Sequence, residues 1–283
     1  MKNLLTASAI VLFGLVAFSC NDQDDDDGSA QGTQTTADTT SFSTDNIREN
    51  SSLAVLYHQN AAEYRALAFQ AFNLGRMRLE DMKRNGTSLQ GKAVVLDVDE
   101  TLLDNSPYNA RLIEDNEKYE SATWSEWTAE AQADSIPGSI SFLKFADAEG
   151  MQIYYVSNRS VDDLEPTMKN MEALGFPQVD SAHYLLKEDT SDKEARRETV
   201  RQQAEILLFF GDNLGDYMSI FDKQPTDRRY ADVDSLQADF GSKFILLPNA
   251  MYGTWEGAIY NYDRGLTDQQ EYEARMKALR TDR

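Results

Sequence analysis

Five short apolar runs, separated by helical stretches, are the feature of this sequence that most limits its fold. Each run is continuous rather than alternating, which is typical of strands buried on both faces of a parallel sheet. The stretches between them repeat apolar residues every three or four positions, as helices do. Strands that alternate with helices predict a doubly wound α/β sheet. The five predicted strands are residues 93–96, 153–156, 184–186, 206–210 and 244–247.

The first 45 residues differ in composition from the rest of the chain. Lys2 and the apolar run from Leu4 to Phe18 have the form of a bacterial export signal, and the run is short for a membrane span. Residues 17–20 (Ala-Phe-Ser-Cys) resemble a loose lipobox, in which Cys20 carries the lipid and begins the mature protein. Residues 21–45 are rich in Asp, Ser, Thr, Gln and Gly and predict a disordered acidic tether.

These features predict an exported protein that a lipid on Cys20 attaches to a membrane. We expect an outer-membrane lipoprotein, displayed either on the periplasmic face or at the cell surface. A cleaved soluble protein and a plain membrane anchor are the alternatives. Cys20 is the only cysteine, so no disulfide within the chain can form.

Residues 46–283 are predicted to form one globular domain with a core at about 88–250. The N-terminal helical segment 47–86, an insertion at 105–136 after the first strand and the tail 252–283 are expected to build a small helical lid. The formal net charge is −21, which disfavours a nucleic-acid polymer as partner because the phosphate backbone would be repelled. A small phosphorylated substrate is compatible with this charge if a metal ion makes the site locally positive.

Polar side chains follow the first four predicted strands, at the strand ends where ligands bind in parallel α/β sheets. A set of carboxylates gathered there is costly unless a cation neutralises it, and oxygen ligands suit Mg²⁺. An Asp-x-Asp-x-Thr motif alone is weak, because Asp is common in this chain, but the joint order is specific. The strand ends carry Asp97, Asp99 and Thr101, then Ser157, Asn158 and Arg159, then Lys187, then Asp212 and Asp216.

These residues resemble the signature of the haloacid dehalogenase (HAD) phosphohydrolases. More narrowly, residues 95–108 (VLDVDETLLDNSPY) and 211–216 (GDNLGD) look like the bacterial class C acid phosphatases, which are lipoprotein 5′-nucleotidases. The aromatic helix around 57–73 and residues 247–253 also resemble that family. Ala250 stands where the family pattern has a proline, away from the chemistry. The resemblance implies a HAD-like fold and covers nearly all of the chain after the tether.

The resemblance implies a phosphoryl-transfer role for each aspartate. Asp97 would attack phosphorus and form an aspartyl-phosphate, and Asp99 would act as general acid and then general base. A dehalogenase lacks this second aspartate, because a halide leaves without a proton. One Mg²⁺ per site would be held by Asp97, the main-chain carbonyl of Asp99 and Asp212. Asp216 would orient metal-bound water or Lys187.

The remaining strand-end residues are expected to bind the phosphoryl group or support the loops. Ser157 and Lys187 would grip phosphoryl oxygens, and Thr101 would support the loop after the first strand. Asn158 is a further candidate for substrate binding. Arg159 would either help to bind phosphate or pair with a surface carboxylate, and the sequence leaves both open.

The substrate is predicted to be a small phosphomonoester. Tyr252 matches a family position whose ring stacks on a nucleobase, and Trp124 or Trp127 would line the opposite side. Nucleoside 5′-monophosphates, including nicotinamide mononucleotide, are therefore the leading candidates. A broad-specificity acid phosphatase and a phosphotransferase would use the same site.

A non-catalytic surface protein for haem or adhesion is the rival of another class. Its haem ligands would be His58 and His183, the only histidines, but nothing in their spacing marks a site. The complete set of catalytic residues argues against this rival. The sequence leaves the oligomeric state open, with a homodimer as one candidate.

Overall fold

The computed structural model describes residues 47–281. The predicted leader, Cys20 and the tether lie outside the described residues, so the statements about them stay predictions. The described chain begins with a 3-10 turn, Ile47–Ser51. The helices are α1 Ser52–Asn60, α2 Ala62–Arg84, α3 Ser106–Glu114, α4 Ser121–Glu130, α5 Ser139–Ala148, α6 Leu164–Leu174, α7 Glu194–Arg201, α8 Thr226–Ser235, α9 Thr254–Ile259 and α10 Asp268–Ala278. The strands are β1 Ala93–Leu96, β2 Leu103–Asp104, β3 Asp134–Ser135, β4 Gln152–Ser160, β5 Tyr184–Lys187, β6 Ile206–Gly211 and β7 Phe244–Leu246.

Five of these strands form one parallel sheet in the order β5-β4-β1-β6-β7. All five were predicted from their apolar runs, and the α/β fold with a parallel sheet is confirmed. The central strand β1 pairs with β4 on one side and with β6 on the other, with Leu96 opposite both Tyr155 and Phe210. The chain reverses its direction of winding at β1. Such a reversal opens a crevice at the carboxyl ends of the strands.

Each central strand sends alternate side chains to opposite faces of the sheet. Val94 and Leu96 join a large apolar cluster on one face, and Ala93 and Val95 join a smaller one on the other. Residues of α2, α5 and α6 belong to the first cluster, and Val200 of α7 belongs to the second. The sheet is therefore covered on both faces, and this explains why its strands are apolar throughout.

The N-terminal helical segment is two helices rather than one. Ala61 has an extended backbone (ψ 123°) and separates α1 from α2, and the side-chain Nδ2 of Asn60 donates to the Leu56 carbonyl at the end of α1. Phe72 of α2 stacks on Phe210 at 5.4 Å, and Gly75 leaves room for the same ring. Helix α2 is thus part of the core, and the prediction that all of 47–86 belongs to a lid is corrected. Helix α1 instead contacts α3 of the insertion.

The insertion after β1 is fixed to the domain at its root. Strands β2 and β3 pair antiparallel, with Leu103 opposite Ser135, so both ends of the segment meet. Helices α3 and α4 lie between these two strands. Between residues 47 and 281, the structure contains no helix with the length and apolar character needed to cross a bilayer.

Candidate active site

Three carboxylates converge where β1 and β6 end. Asp97 follows β1, and its amide donates to the Phe210 carbonyl of β6 at 3.0 Å. Asp212 follows β6, and Asp216 ends the next 3-10 turn, Leu214–Asp216. One carboxylate oxygen from each of the three lies within 4.8 Å of the other two. The sequence prediction that these strand ends bring the aspartates together agrees with this arrangement.

The lysine in contact with this cluster is Lys193, which the sequence analysis did not single out. Its ammonium lies 2.6 Å from Asp97 Oδ1 and 2.7 Å from Asp216 Oδ1, and its side chain is only 3% exposed. Lys193 directly precedes α7, so the start of that helix positions it. Lys193 is therefore the lysine that contacts Asp97, and the predicted role of Lys187 toward phosphoryl oxygens stays a prediction.

Lys187 is the last residue of β5, and Ser160 of β4 is its partner in the sheet. It lines the same cavity as Asp97 and is half-buried. The loop of five residues after it returns the chain to the site, so the lysine nearest to the strand end is not the one that contacts Asp97.

Asp216 is held in place from two sides. Its Oδ1 pairs with Lys193, and its Oδ2 accepts a hydrogen bond of 2.9 Å from the Asn213 amide. Gly211 makes this possible, because a side chain there would occupy the space of the Asp216 carboxylate. Asp216 therefore orients Lys193, and its predicted role toward metal-bound water or Lys187 stays a prediction.

Asp212 receives one hydrogen bond on each oxygen. Thr101 Oγ1 donates to Oδ1 at 3.3 Å, and Asn249 Nδ2 donates to Oδ2 at 2.8 Å. Thr101 is fully buried, so its predicted support of the loop takes the form of a direct bond to Asp212. Asn249 lies in the segment 247–253 that resembled the family, but its role was not predicted.

The charges of the cluster do not balance. Burial raises the pKa of Asp97 to about 7 against the lowering effect of Lys193, and the Asp216 carboxylate adds to the rise. Burial, with Asp216 and Asp97 nearby, also raises the pKa of Asp212 well above its usual range. One ammonium leaves two of the three carboxylates uncompensated. A divalent cation would neutralise them, so the site fits the predicted Mg²⁺ in both charge and ligand type.

Asp99 lies apart from the other aspartates and is bound by a different cation. Nε and Nη2 of Arg159 both lie 2.9 Å from Asp99 Oδ1. Asn105 Nδ2 donates to the same oxygen at 3.0 Å, and Ser157 Oγ donates to Oδ2 at 3.4 Å. Arg159 is 2% exposed and also binds Thr167. It is therefore buried rather than part of a surface ion pair, and it fixes the carboxylate of Asp99; a role in phosphate binding stays a prediction.

Ser157 and Asn158 lie in β4 near its carboxyl end, beside the site. The Ser157 side chain is fully buried, and its Oγ also accepts a bond from the Arg159 amide at 3.1 Å. Arg196 of α7 binds the Ser157 carbonyl and the Asn158 side chain, the latter at 2.7 Å. Arg196, which was not predicted, therefore joins the end of β4 to α7 beside Lys193. Asn158 lines the cavity, as expected of a substrate-binding residue.

A cavity of about 520 Å³ opens above the carboxylates. Trp124 and Tyr252, the two aromatic residues predicted to bind substrate, both line it. Tyr119 lines it too, lies 6.0 Å from the Trp124 ring and is 58% exposed, although the sequence analysis gave it no role. Trp127, the alternative to Trp124, is instead buried and donates to Asn105 Oδ1 at 2.9 Å.

Comparisons with known proteins agree with this site. Residues 21–255 match the model of the HAD superfamily, subfamily IIIB (acid phosphatase). A solved class C acid phosphatase from Bacillus anthracis is 40% identical to this chain, with a TM-score of 0.80, over 84% of this chain and 100% of that one. A second structure of that enzyme, with tungstate bound, matches equally well. The chain therefore belongs to the class C acid phosphatases of HAD subfamily IIIB and is a phosphomonoesterase.

Proposed function

We propose that this phosphatase is Mg²⁺-dependent, forms an aspartyl-phosphate on Asp97 and acts on nucleoside 5′-monophosphates. The observation that carries the proposal is that Asp97 and Asp99 have different partners. Asp97 lies in the cluster with Lys193, Asp212 and Asp216, whereas Asp99 lies against Arg159. An aspartate beside a lysine and a candidate metal site suits the role of nucleophile, and the second aspartate, outside that cluster, is left for the role of general acid.

In the first half-reaction, an oxygen of Asp97 attacks phosphorus, and the bond from phosphorus to the ester oxygen breaks. Asp99 gives its proton to the departing alkoxide, so the product leaves as an alcohol. In the second half-reaction, Asp99 takes a proton from water, the hydroxide oxygen attacks phosphorus, and the bond to Asp97 breaks. Phosphate is released, and both aspartates return to their initial states.

Lys193 orients Asp97 and offsets negative charge throughout. Its ammonium already contacts Asp97, and the same charge would stabilise phosphoryl oxygens in the transition state. Asp216 and its bond from the Asn213 amide keep Lys193 in position. Because the lysine is buried and paired on two sides, little reorganisation is needed during the reaction.

The residues that would hold Mg²⁺ are Asp97, the main-chain carbonyl of Asp99 and Asp212. Asp216 is close enough to contribute, but both of its oxygens are already engaged. When bound, the ion supplies positive charge between the nucleophile and the phosphoryl oxygens. Thr101 and Asn249 hold Asp212 in its orientation, and each therefore supports the metal site.

Two further observations support the phosphate and nucleotide assignments. Tungstate, an oxyanion of the same shape as phosphate, is bound in the structure of the relative from Bacillus anthracis. In this chain, Trp124, Tyr119 and Tyr252 line the cavity above Asp97, where a planar base could stack. A small sugar phosphate has no planar base that could stack on these aromatic rings.

A phosphate-release assay tests the proposal directly. We expect turnover of nucleoside 5′-monophosphates with Mg²⁺, none with EDTA, and weaker turnover of ribose 5-phosphate, which lacks the base. Asp97→Asn should lose nearly all activity and keep its circular dichroism spectrum. Full activity of Asp97→Asn would exclude the mechanism, and equal turnover of both substrates would exclude the role of the base. Product analysis with excess acceptor alcohol separates hydrolysis from phosphotransfer.

We also propose that the enzyme is an outer-membrane lipoprotein anchored through Cys20. The support is the leader of 20 residues, with its apolar run and terminal cysteine. The Cys20→Ser variant should lose membrane retention while the enzyme keeps its activity. Unchanged retention in the membrane fraction would remove the lipid anchor.

A further inference from the structure

A second group of metal-ligand side chains lies outside the catalytic cluster. His58 of α1, Glu100 of the loop after β1 and Asp104 of β2 each offer one ligand atom, and these atoms lie within 4.8 Å of one another. We propose that these three residues bind a divalent transition-metal ion, with Zn²⁺ as the best match. This site is independent of the proposed function, because none of the three residues takes part in the chemistry at Asp97.

The spacing of the ligand atoms suits zinc. His58 Nε2 lies 3.2 Å from Asp104 Oδ1. Bonds of about 2.0–2.1 Å to a tetrahedral zinc ion place two ligand atoms about 3.3–3.4 Å apart. An imidazole nitrogen with two carboxylates is also a zinc-type donor set, whereas Mg²⁺ prefers oxygen ligands alone.

Buried polar atoms of His58 and Tyr64 lie in or beside the group. Among the residues that the structure describes, Tyr64 Oη is buried and has no hydrogen-bond partner, and His58 Nε2 is buried against the Asp104 carboxylate. The two side chains belong to residues that are 5% and 4% exposed, and their rings lie 3.9 Å apart. The contact between the two rings places Tyr64 beside the same group. Tyr64 could complete the coordination directly or through a water.

The charge of the group also calls for a cation. Glu100 is fully buried and accepts hydrogen bonds only from neutral donors, the Asn105 amide at 2.9 Å and its Nδ2 at 3.4 Å. Asp104 accepts a bond of 2.8 Å from the Ser106 amide. Two carboxylates so close together in a buried group are unfavourable without a cation beside them. A divalent ion would neutralise both.

A route into the site exists beside His58. A cavity of about 280 Å³ is lined by His58, Tyr64 and Asn249, so an ion could enter from the surface without unfolding of the loop. A metal there would tie α1 to the loop that carries Asp99 and Thr101. It would therefore stabilise the contact of α1 with the domain, without contact with the substrate.

Histidine ring NMR of the protein without a polyhistidine tag tests this site. The chain has two histidines, and His183 pairs with Asp180 on the surface, so it serves as an internal control. The titration uses EDTA-stripped protein with Asp212→Asn, which disables the catalytic metal site. One equivalent of ZnCl₂ should shift the His58 ring signals and leave those of His183 in place. Cobalt in place of zinc should give a visible absorption spectrum that is typical of an ion with a nitrogen ligand.

The His58→Gln change in the same Asp212→Asn background is the matched variant. It should lose the zinc-dependent rise in melting temperature that the Asp212→Asn parent shows. If His58→Gln does not fold, the NMR titration of the parent decides alone. Unshifted His58 signals at saturating zinc would overturn the site and would mean that His58 simply pairs with Asp104. Loss of zinc binding here would not affect the phosphatase assignment, since Asp97 would still turn over substrate with Mg²⁺.

Discussion

The guanidinium of Arg159 holds the carboxylate of Asp99, with Nε and Nη2 both 2.9 Å from Oδ1. Trp124 lies over the same guanidinium at 5.6 Å, so one arginine joins the acid/base residue to the aromatic wall of the cavity. Neither contact could be read from the sequence, where Arg159 had two open roles. Arg159 is therefore a positioning residue for Asp99, and we expect its substitution to change the kinetics of the enzyme.

Arg159→Lys should lower kcat for alkyl phosphates by about 10²-fold, because a lysine cannot hold Asp99 with two nitrogens. The loss should be smaller for p-nitrophenyl phosphate, whose leaving group needs little protonation. Asp99→Asn should show the same dependence on the leaving group. Steady-state kinetics on both substrates measures the difference.

Arg76→Lys is the matched control for Arg159→Lys, because Arg76 is exposed, pairs with Glu80 on its own helix α2 and lies over the Phe145 ring, away from the active site. It should keep wild-type kinetics. An equal loss with both phosphate esters in Arg159→Lys would show that the arginine supports the fold rather than the proton transfer.

A second experiment compares substitutions of Lys193 and Lys187, which are expected to differ in their effects on activity and stability. Lys193→Met should lower kcat by about 10²–10³-fold, because it removes the cation beside the nucleophile. It should also destabilise the fold, since Asp97 and Asp216 would stay buried without their partner. Lys187→Met should retain much more activity and the wild-type melting temperature, because this lysine is half-buried and does not contact Asp97.

Thermal unfolding at several Mg²⁺ concentrations tells the two effects of Lys193→Met apart. Metal binding should restore part of the lost stability, but it should not restore turnover. If Lys187→Met lost activity as severely as Lys193→Met, the assignment of the catalytic lysine from the geometry would be wrong.

The two lysines also show how far sequence reasoning reaches in this fold. The strands were predictable because burial on both faces demands unbroken apolar runs, and the aspartates were predictable because they follow those runs directly. Lys193 could not be found in this way, since a loop of five residues separates it from β5. Its position depends on where α7 begins, which a strand-end rule does not capture.

Tertiary packing also overrides local propensity at Ala61. Residues 47–86 were predicted to be one helical segment, and alanine is itself the best helix former. In the structure, α1 contacts the insertion whereas α2 packs on the sheet, and the chain must turn between these two directions. The long-range partners that decide this turn are far away in the sequence.

The aromatic residues that line the cavity, Tyr119, Trp124 and Tyr252, are predicted to favour substrates that carry a base. Tyr119→Ala and Trp124→Ala should each raise KM for a nucleoside 5′-monophosphate by about 10-fold, because a stacked base is worth roughly 1–3 kcal/mol. KM for ribose 5-phosphate should stay close to the wild-type value. Leu53→Ala, a change at an exposed residue of α1, is the control. Parallel losses with both substrates would mean that these rings shape the lid and do not bind the base.

The raised pKa of Asp222 predicts that its contribution to the stability of the fold depends on pH. Burial and the neighbouring Asp192 raise its pKa to about 6, although Arg197 and Arg229 oppose the rise. In the unfolded chain an aspartate has a pKa of about 3.9. Between these two values the folded protein keeps a proton that the unfolded chain releases. The contribution of Asp222 to stability therefore falls as pH rises from about 4 to about 6, and the loss remains at pH 7.

Asp222→Asn should remove this loss, because the amide stays neutral at every pH. The variant should melt at a higher temperature than wild type at pH 7, and the difference should shrink to near zero at pH 4. Asp234→Asn, at an exposed position on α8, should show no gain of this kind. Melting curves at pH 4, 5, 6 and 7 check the trend, and a gain for Asp222→Asn that is equally large at pH 4 would contradict a proton-linked origin.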